Sequence, residues 1–213
     1  MATKNPGHLF VVAAPSGAGK TSLVKALIEQ VPRAAVAVSH TTRSPRPGEV
    51  EGVNYYFVDR PAFEQMQREG AFLESANVFG NLYGTSLAEV ERVRHRGDHV
   101  ILEIDWQGAR QIRALVPESR SIFILPPSLQ TLKLRLLTRG QDDDRTIARR
   151  TREAIGEISH YPEFDYIIVN DNFNRALAEL ISIIEGKGEG HRLVRQKKRL
   201  APLIADLLPR TMP

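Results

Sequence analysis

Residues 9 to 22, Leu9-Phe10-Val11-Val12-Ala13-Ala14-Pro15-Ser16-Gly17-Ala18-Gly19-Lys20-Thr21-Ser22, constrain the fold more than any other stretch. The unbroken apolar run Leu9 to Ala14 predicts a strand buried on both faces, as in parallel sheets. Lys20 to Gln30 predicts a helix with Leu23, Leu27 and Ile28 on one side. The small residues between them let consecutive backbone N–H groups wrap an anion at the helix N-terminus. Lys20 is then placed to reach the β/γ-phosphates of a nucleotide, and the Thr21 hydroxyl to ligate Mg²⁺. Ala14 stands where the strict phosphate-loop pattern has Gly, so the match is to its relaxed form. An ordinary strand-to-helix turn accounts for Gly17 and Gly19, but not for Lys20-Thr21 in register after an apolar strand. Ala14 to Ser22 are therefore expected to hold the phosphates of a nucleotide.

At 213 residues the chain can bury a substantial core as one domain with insertions. Its 42% apolar and 25% charged residues are ordinary for a soluble globular protein. No apolar run nears the roughly 20 residues of a membrane helix, and Met1 to His8 has no signal-peptide pattern. The lack of cysteine excludes disulfides and thiolate chemistry and fits a cytoplasmic location. The net charge is +4, with basic residues gathered at Arg43/Arg46, between Lys133 and Arg152, and in the C-terminal segment. Such local clusters suit a small phosphorylated ligand better than a nucleic-acid groove, so no nucleic acid is expected. The six histidines lack metal-site spacing.

Downstream, Ala34 to Thr42 predicts a second strand, and Arg43 to Glu49 a loop by its Pro and Gly content. Val53 to Val58 predicts a short aromatic strand, and Asp59 with Pro61 a helix start running to about Glu69. Ala71 to Phe79 reads as a strand and Gly80 to Gly84 as a turn. Ser86-Leu87-Ala88-Glu89 is a capping box opening a helix that stops at Gly97. A buried strand from His99 to Ile104 ends in Asp105, and Gln107 to Leu115 follows as helix. Ser121 to Leu125 is the next strand, and Ser128 caps a helix to about Leu137. Arg139 to Arg145 interrupts that helix before a second one reaches about Ser159. Asp165 to Asn170 is the last strand and Asn174 to Glu185 the last well-formed helix. This alternation indicates an α/β domain with a parallel sheet flanked by helices.

Six further stretches are notable in their order. They are Ser39-His40-Thr41-Thr42-Arg43-x-Pro45-Arg46-x-Gly48-Glu49, Phe72-Leu73-Glu74, and Asn81-x-Tyr83-Gly84-Thr85. Then come Leu102-Glu103-Ile104-Asp105-Trp106-Gln107-Gly108, Arg139-Gly140, and Ile168-Val169-Asn170-Asp171. With the phosphate loop, this ordered set resembles the bacterial guanylate kinases, which transfer the γ-phosphoryl of ATP to GMP. The resemblance runs from about Leu9 to Glu185. It implies a P-loop NTPase-like sheet in a core of residues 1–38, 86–126 and 160–186. It also implies a small mixed α/β GMP-binding insertion at 39–85, and a helical lid at 127–159. ATP, GMP and the Mg²⁺ that accompanies ATP are the implied ligands.

Residue by residue, Arg43, Arg46, Tyr55 and Tyr83 resemble the holders of the GMP phosphate, with Glu49 in the same set. Ser39, Glu74 and Thr85, with Asp105, resemble the residues around the guanine. Arg135, Arg139 and Arg150 resemble the lid arginines that close on the transferring phosphoryl and, with Lys20, form the catalytic set. Asn170 and Asp171 fall where the adenine should lie.

The residue types alone leave several of these roles open. Two arginines three apart in a Pro-stiffened loop form either a phosphate fork or a solvated surface pair. Tyr55 and Tyr83 serve equally as core aromatics. Glu74, in a strand pattern, lines a cleft or points to solvent, and residue chemistry alone favours solvent. Asp105 and Glu103 end an apolar strand and can serve Mg²⁺ through water or touch the base. Phosphoryl transfer onto an existing phosphate needs no nucleophile–base pair, being mostly positioning and charge neutralisation. A P-loop kinase for another small phosphorylated acceptor and a non-catalytic guanylate-kinase-like scaffold domain are the rival readings. The intact Gly19-Lys20-Thr21 and the arginines argue against the scaffold.

The extension at 187–213 carries Leu193, Leu200 and Leu207 seven apart, beside Arg192, Arg195, Lys197, Lys198 and Arg199. This basic amphipathic stripe either packs on its own core or joins copies of the chain in a homo-oligomer, with a nucleic-acid tail as the less favoured third reading. Pro202 is expected to end the helix near Leu200 and start a separate short turn.

Overall fold

The computed structural model describes residues 7–137 and 144–208, so Arg139 and Gly140 lie outside the described residues. In chain order the first strands and helices are β1 (Leu9–Ala13), α1 (Lys20–Gln30), β2 (Ala34–Val36), β3 (His40–Thr41) and β4 (Tyr56–Phe57). Then follow α2 (Arg60–Arg68), β5 (Phe72–Val78), β6 (Asn81–Ser86), α3 (Leu87–Arg94), β7 (His99–Glu103), α4 (Trp106–Leu115) and β8 (Arg120–Leu125). The remainder comprises α5 (Leu129–Leu137), α6 (Asp144–Ile158), β9 (Tyr166–Val169), α7 (Phe173–Ile184) and α8 (Leu193–Leu207).

A five-stranded sheet has the order β2-β7-β1-β8-β9, and a four-stranded sheet the order β4-β3-β6-β5. In the first, β2 runs parallel to β7 with Ala34 opposite His99, and β8 parallel to β9 with Ile122 opposite Tyr166. The apolar runs explain this sheet: Phe10, Ile101, Leu102, Ile122, Ile124 and Leu125 are all 0% exposed. At roughly 1.5–3 kcal/mol per buried side chain, that burial outweighs the local propensity of any flanking helix. The helices start where the sequence supplies a cap. Asp59, Ser86, Asp105 and Asn172 each accept a backbone N–H two or three residues into their helices, and Ser128 does so from Thr131.

The chain clusters into two compact units, one holding Val31–Arg120 with the start of β1, the other Val12–Gln30 with Ser121 onward. In the first, the small sheet is mixed: β3 pairs parallel with β4 and antiparallel with β6, and β5 and β6 form a hairpin.

Four expectations need correction. The single strand at 34–42 is two, since Val36 ends its pairing with β7 and His40 begins a new one with β4 and β6. The aromatic strand shrinks to Tyr56–Phe57, because Val50 to Tyr55 fold into turns around Gly52 (φ 70) and Asn54, whose Oδ1 accepts the Val50 N–H at 2.8 Å. The turn expected at Gly80 to Gly84 is only Phe79-Gly80, both with positive φ as a two-residue hairpin requires, and Asn81–Ser86 is strand. Gly84 is there for packing, since a Cβ would meet Phe72 at 2.9 Å and Phe63 at 3.0 Å.

The fourth correction is that α8 runs through Pro202 to Leu207. Pro202 is exposed, as is Lys198, so water can take the carbonyl that the proline leaves without a donor. Leu200 and Leu207 are buried within the chain, the self-packed alternative for the stripe. The capping box is half formed: Ser86 Oγ accepts the Glu89 N–H. The Glu89 carboxylate meanwhile takes the Val38 N–H, the Tyr56 hydroxyl and the Arg92 guanidinium.

Candidate active site

In the second unit, β1 ends at Ala13 and α1 begins at Lys20, leaving Ala14 to Gly19 as the loop. Gly17 (φ 89) and Gly19 (φ 93) adopt left-handed backbone that a side chain would strain. Both are also crowded. A Cβ on Gly19 would lie 2.5 Å from Asn170 Nδ2, and one on Gly17 would press on Leu132 and Leu136 at 3.2–3.3 Å. Ala14 has no positive φ, so alanine is tolerated where the strict pattern has glycine. Pro15 and Ala18 are buried, Ala18 N–H donating to Pro15 O at 3.0 Å. Lys20 and Thr21 occupy the first two positions of α1, with Thr21 and Ser22 exposed.

Three side chains brace this loop from elements distant in sequence. Asn170, 4% exposed at the end of β9, donates from Nδ2 to Ala18 O at 2.7 Å. That bond fixes the amide orientation and leaves Asn170 Oδ1 buried without a hydrogen-bond partner. Arg135 on α5 donates to Asn170 O at 3.0 Å and, more weakly, to Ala18 O at 3.4 Å. Glu157 on α6 accepts the Ser16 N–H at 3.0 Å. Arg150 lies half-buried on α6, two turns before Glu157. Asp171 is exposed and paired with Arg175. Slight burial raises its pKa, but the Arg175 guanidinium and the Asn172 N–H hold it below the ordinary carboxylate range.

In the first unit, Glu74 is 3% exposed on β5, which corrects the preference for solvent. Its Oε1 accepts the Thr85 N–H at 2.8 Å and the Thr85 hydroxyl at 2.6 Å. Ser39 Oγ lies 2.9 Å from Thr85 Oγ1. Because Thr85 has one hydroxyl proton and gives it to the carboxylate, Ser39 donates to Thr85. The result is a buried relay, Ser39 to Thr85 to Glu74. Gly108, in the first turn of α4, makes room for it: a Cβ there would sit 2.4 Å from Glu74 Oε2.

The arginine loop is organised by Glu49. Its two oxygens accept Arg43 Nη2 at 2.8 and 2.9 Å, and Oε2 also accepts the Arg46 N–H at 2.7 Å. Burial opposes both charges, but the Arg46 N–H and the Arg43 guanidinium more than offset it and hold the Glu49 carboxyl below its ordinary value. Arg43 correspondingly titrates above its ordinary value despite its burial, through Glu49 and Tyr83. The Arg43 guanidinium lies over the Tyr55 ring, 5.4 Å from its centroid, and Tyr83 meets Tyr55 edge-on at 5.8 Å. Burial first, then Glu103 and Tyr83, push the Tyr55 hydroxyl up, so it stays a neutral O–H. Arg46 is exposed. Asp105 caps α4 through Gly108 N–H at 3.0 Å and accepts Gln107 Nε2 at 3.0 Å, while Glu103 is half-buried at the end of β7.

The structure thus gathers Ser39, Glu74 and Thr85 into one network, and Arg43, Glu49, Tyr55 and Tyr83 into another. Sequence reasoning missed Gly108 as the space for Glu74, and Glu157. A glycine inside a helix costs roughly 0.5–1 kcal/mol relative to alanine, which is the signal that could have drawn attention to Gly108. Glu157 gives none, being one of many polar helix residues.

Residues 7–187 match the family model described as guanylate kinase. The chain is 56% identical over 203 residues to a guanylate kinase of Alkalilimnicola ehrlichii, covering 95% of this chain and 99% of that relative. It is 57% identical over 204 residues to that of Methylococcus capsulatus, covering 95% and 98%. Its structure is similar to the crystal structure of guanylate kinase from Anaplasma phagocytophilum, with a TM-score of 0.72 and 31% identity over 94% of this chain and 97% of that one.

Proposed function

The chain belongs to the guanylate kinase family and is an ATP:GMP phosphotransferase, and we propose that its two residue networks divide the work between donor and acceptor. On the donor side, the loop amides from Ala14 to Ser22 take the ATP phosphates at the N-terminus of α1. Lys20 supplies the fixed cation for the β/γ-phosphates. Asn170 and Asp171 serve the adenine.

Thr21 Oγ1 suits Mg²⁺, which keeps several waters and is held largely by substrate phosphates and few protein oxygens. Among the described residues no group of three His, Asp or Glu side chains offers a cage of its own. The ion would neutralise phosphate charge.

On the acceptor side, the observation that carries the reading is the buried Glu74, a carboxylate oriented by Thr85 and suited to paired N–H donors. Guanine offers such a pair at N1 and N2. Ser39, whose proton serves Thr85, presents an acceptor, and reaches O6 as a donor only by turning that proton away. Arg43 and Arg46, with the Tyr55 and Tyr83 hydroxyls, take the GMP phosphate, and Glu49 orients Arg43. Glu103 charges the surroundings of Tyr55, and Asp105 holds the start of α4 beside Gly108. Arg135, Arg139 and Arg150 meet the transferring phosphoryl. We assign the core, insertion and lid to the ranges expected above, and place the enzyme in the cytoplasm without a nucleic-acid partner.

The test is a coupled ADP assay with GMP, AMP, CMP and UMP at saturating Mg-ATP. GMP should be used far better than the others, by as much as ~10⁴ over AMP, which lacks both donors to Glu74. Equal use of AMP would remove the guanine assignment.

A further inference from the structure

Glu157 is an ionisable group that the phosphoryl chemistry leaves unused. It lies near the C-terminal end of α6, between the fully buried Ala154 and Ile158, and its carboxylate accepts the Ser16 N–H. An acid there is costly, because it stands by a loop whose amides are arranged for phosphate oxygens and adds like charge to an incoming polyphosphate. The hydrogen bond it makes is charge-assisted and directional, and that offers a reason for its presence.

The neighbouring contacts supply the rest. Leu132 and Leu136 of α5 form a buried cluster with Ala154 of α6, and the same two leucines face Gly17. Apolar contact fixes how far α6 stands from the loop but permits sliding and rotation. The Ser16–Glu157 hydrogen bond, three residues past Ala154 on the same side of α6, adds a directional restraint at the helix end. Arg150 precedes Glu157 by seven residues, so it lies on the same face, about 10 Å along the axis.

We propose that Glu157 is a positioning residue: its bond to the Ser16 amide registers α6 on the phosphate loop and so fixes where Arg150 meets the transferring phosphoryl. The inference rests on the reading of Arg150 as a phosphoryl-facing arginine. The closing experiment compares E157A, E157Q, R150A and the E157A/R150A double variant for ATP affinity by calorimetry, turnover with GMP, and thermal stability. E157A should lose about 10²-fold in kcat, the scale of a small misplacement, with ATP Kd changed less than about threefold. E157Q, which keeps an acceptor oxygen, should restore most of the turnover. The double variant should be no slower than R150A. Independent, multiplying losses from Glu157 and Arg150 would overturn the positioning role alone. Unchanged turnover in R150A would overturn the Arg150 reading and this inference with it. Tighter ATP binding with normal turnover in E157A would make Glu157 a competitor for the loop. Equal losses of stability and turnover in E157A and E157Q would reduce it to a fold contact.

Discussion

On the proposed reading, the phosphate loop and the acceptor network achieve recognition by opposite means. The loop acts through backbone: Gly17 and Gly19 hold a conformation no other residue enters cheaply, and Asn170, Arg135 and Glu157 brace it from outside. The acceptor side acts through side chains from separated stretches, with Glu74, Thr85 and Ser39 bonded to one another and Glu49 bonded to Arg43. A backbone cradle reads charge and shape and serves any nucleoside triphosphate. A buried carboxylate whose partners are fixed reads a donor pattern and so distinguishes bases. That reading makes affinity for phosphate and choice of base separable in this chain.

Lys20→Ala offers the largest test of that separation. It should keep the fold and lose about 10³-fold or more in turnover, because the transferring charge loses its fixed cation. Near-normal turnover would mean that the loop is not the donor site. Glu74→Gln comes next, with a loss of about 10²–10³ in kcat/KM for GMP, little change for AMP, and ATP affinity intact. If AMP and GMP fell together, the acceptor network would not be what chooses the base.

Gly108→Ala sharpens the comparison without removing a polar atom. Its Cβ would need the space 2.4 Å from Glu74 Oε2, so the carboxylate must move. The expected result is a rise in KM for GMP of roughly tenfold, since a small misplacement in a site is costly. Unchanged GMP kinetics would show that Glu74 can shift freely.

The smallest effect concerns pH. The folded pKa of Glu49 is depressed below its ordinary 4.5. A depressed carboxylate stabilises fully above its unfolded value, and the contribution is lost as pH falls through the folded one. Arg43 should therefore stay paired at neutral pH and loosen only below about 4.5. Carbon-detected NMR titration of the Glu49 carboxyl measures this, and a midpoint at or above 4.5 would refute it.

The contrast between the two regions also governs what the sequence revealed. The loop is contiguous, so Leu9 to Ser22 displayed strand, cradle and helix at once, and α1 spans the expected Lys20–Gln30. The central strands were equally visible, as each is an apolar run buried on both faces. The small sheet was visible only in outline, as short strands between about 39 and 85. Its strands are two to seven residues long and their partners come from distant segments, so the turn at Phe79-Gly80 and the break between Val36 and His40 follow from pairing rather than pattern. Glu74 was found through family resemblance, while its burial depends on Thr85 and Gly108, eleven and thirty-four positions away. Pro202 misled because the rule against proline assumes that the deserted carbonyl has nowhere to turn, and here it faces water.

The last helix closes off the sheet. Leu193 N–H donates to Asp165 O, Gln196 Nε2 to Ile167 O at 3.0 Å, and Tyr166 bridges to Arg192. These bonds occupy carbonyls along the outer side of β9, the terminal strand. An open strand edge is a template on which further chains can add. Here that template is filled intramolecularly, so growth of the sheet from copy to copy is blocked at β9. Cutting the chain before Gly188 would convert a sealed border into an adhesive one, and the shortened protein should precipitate at concentrations where the full chain stays dispersed.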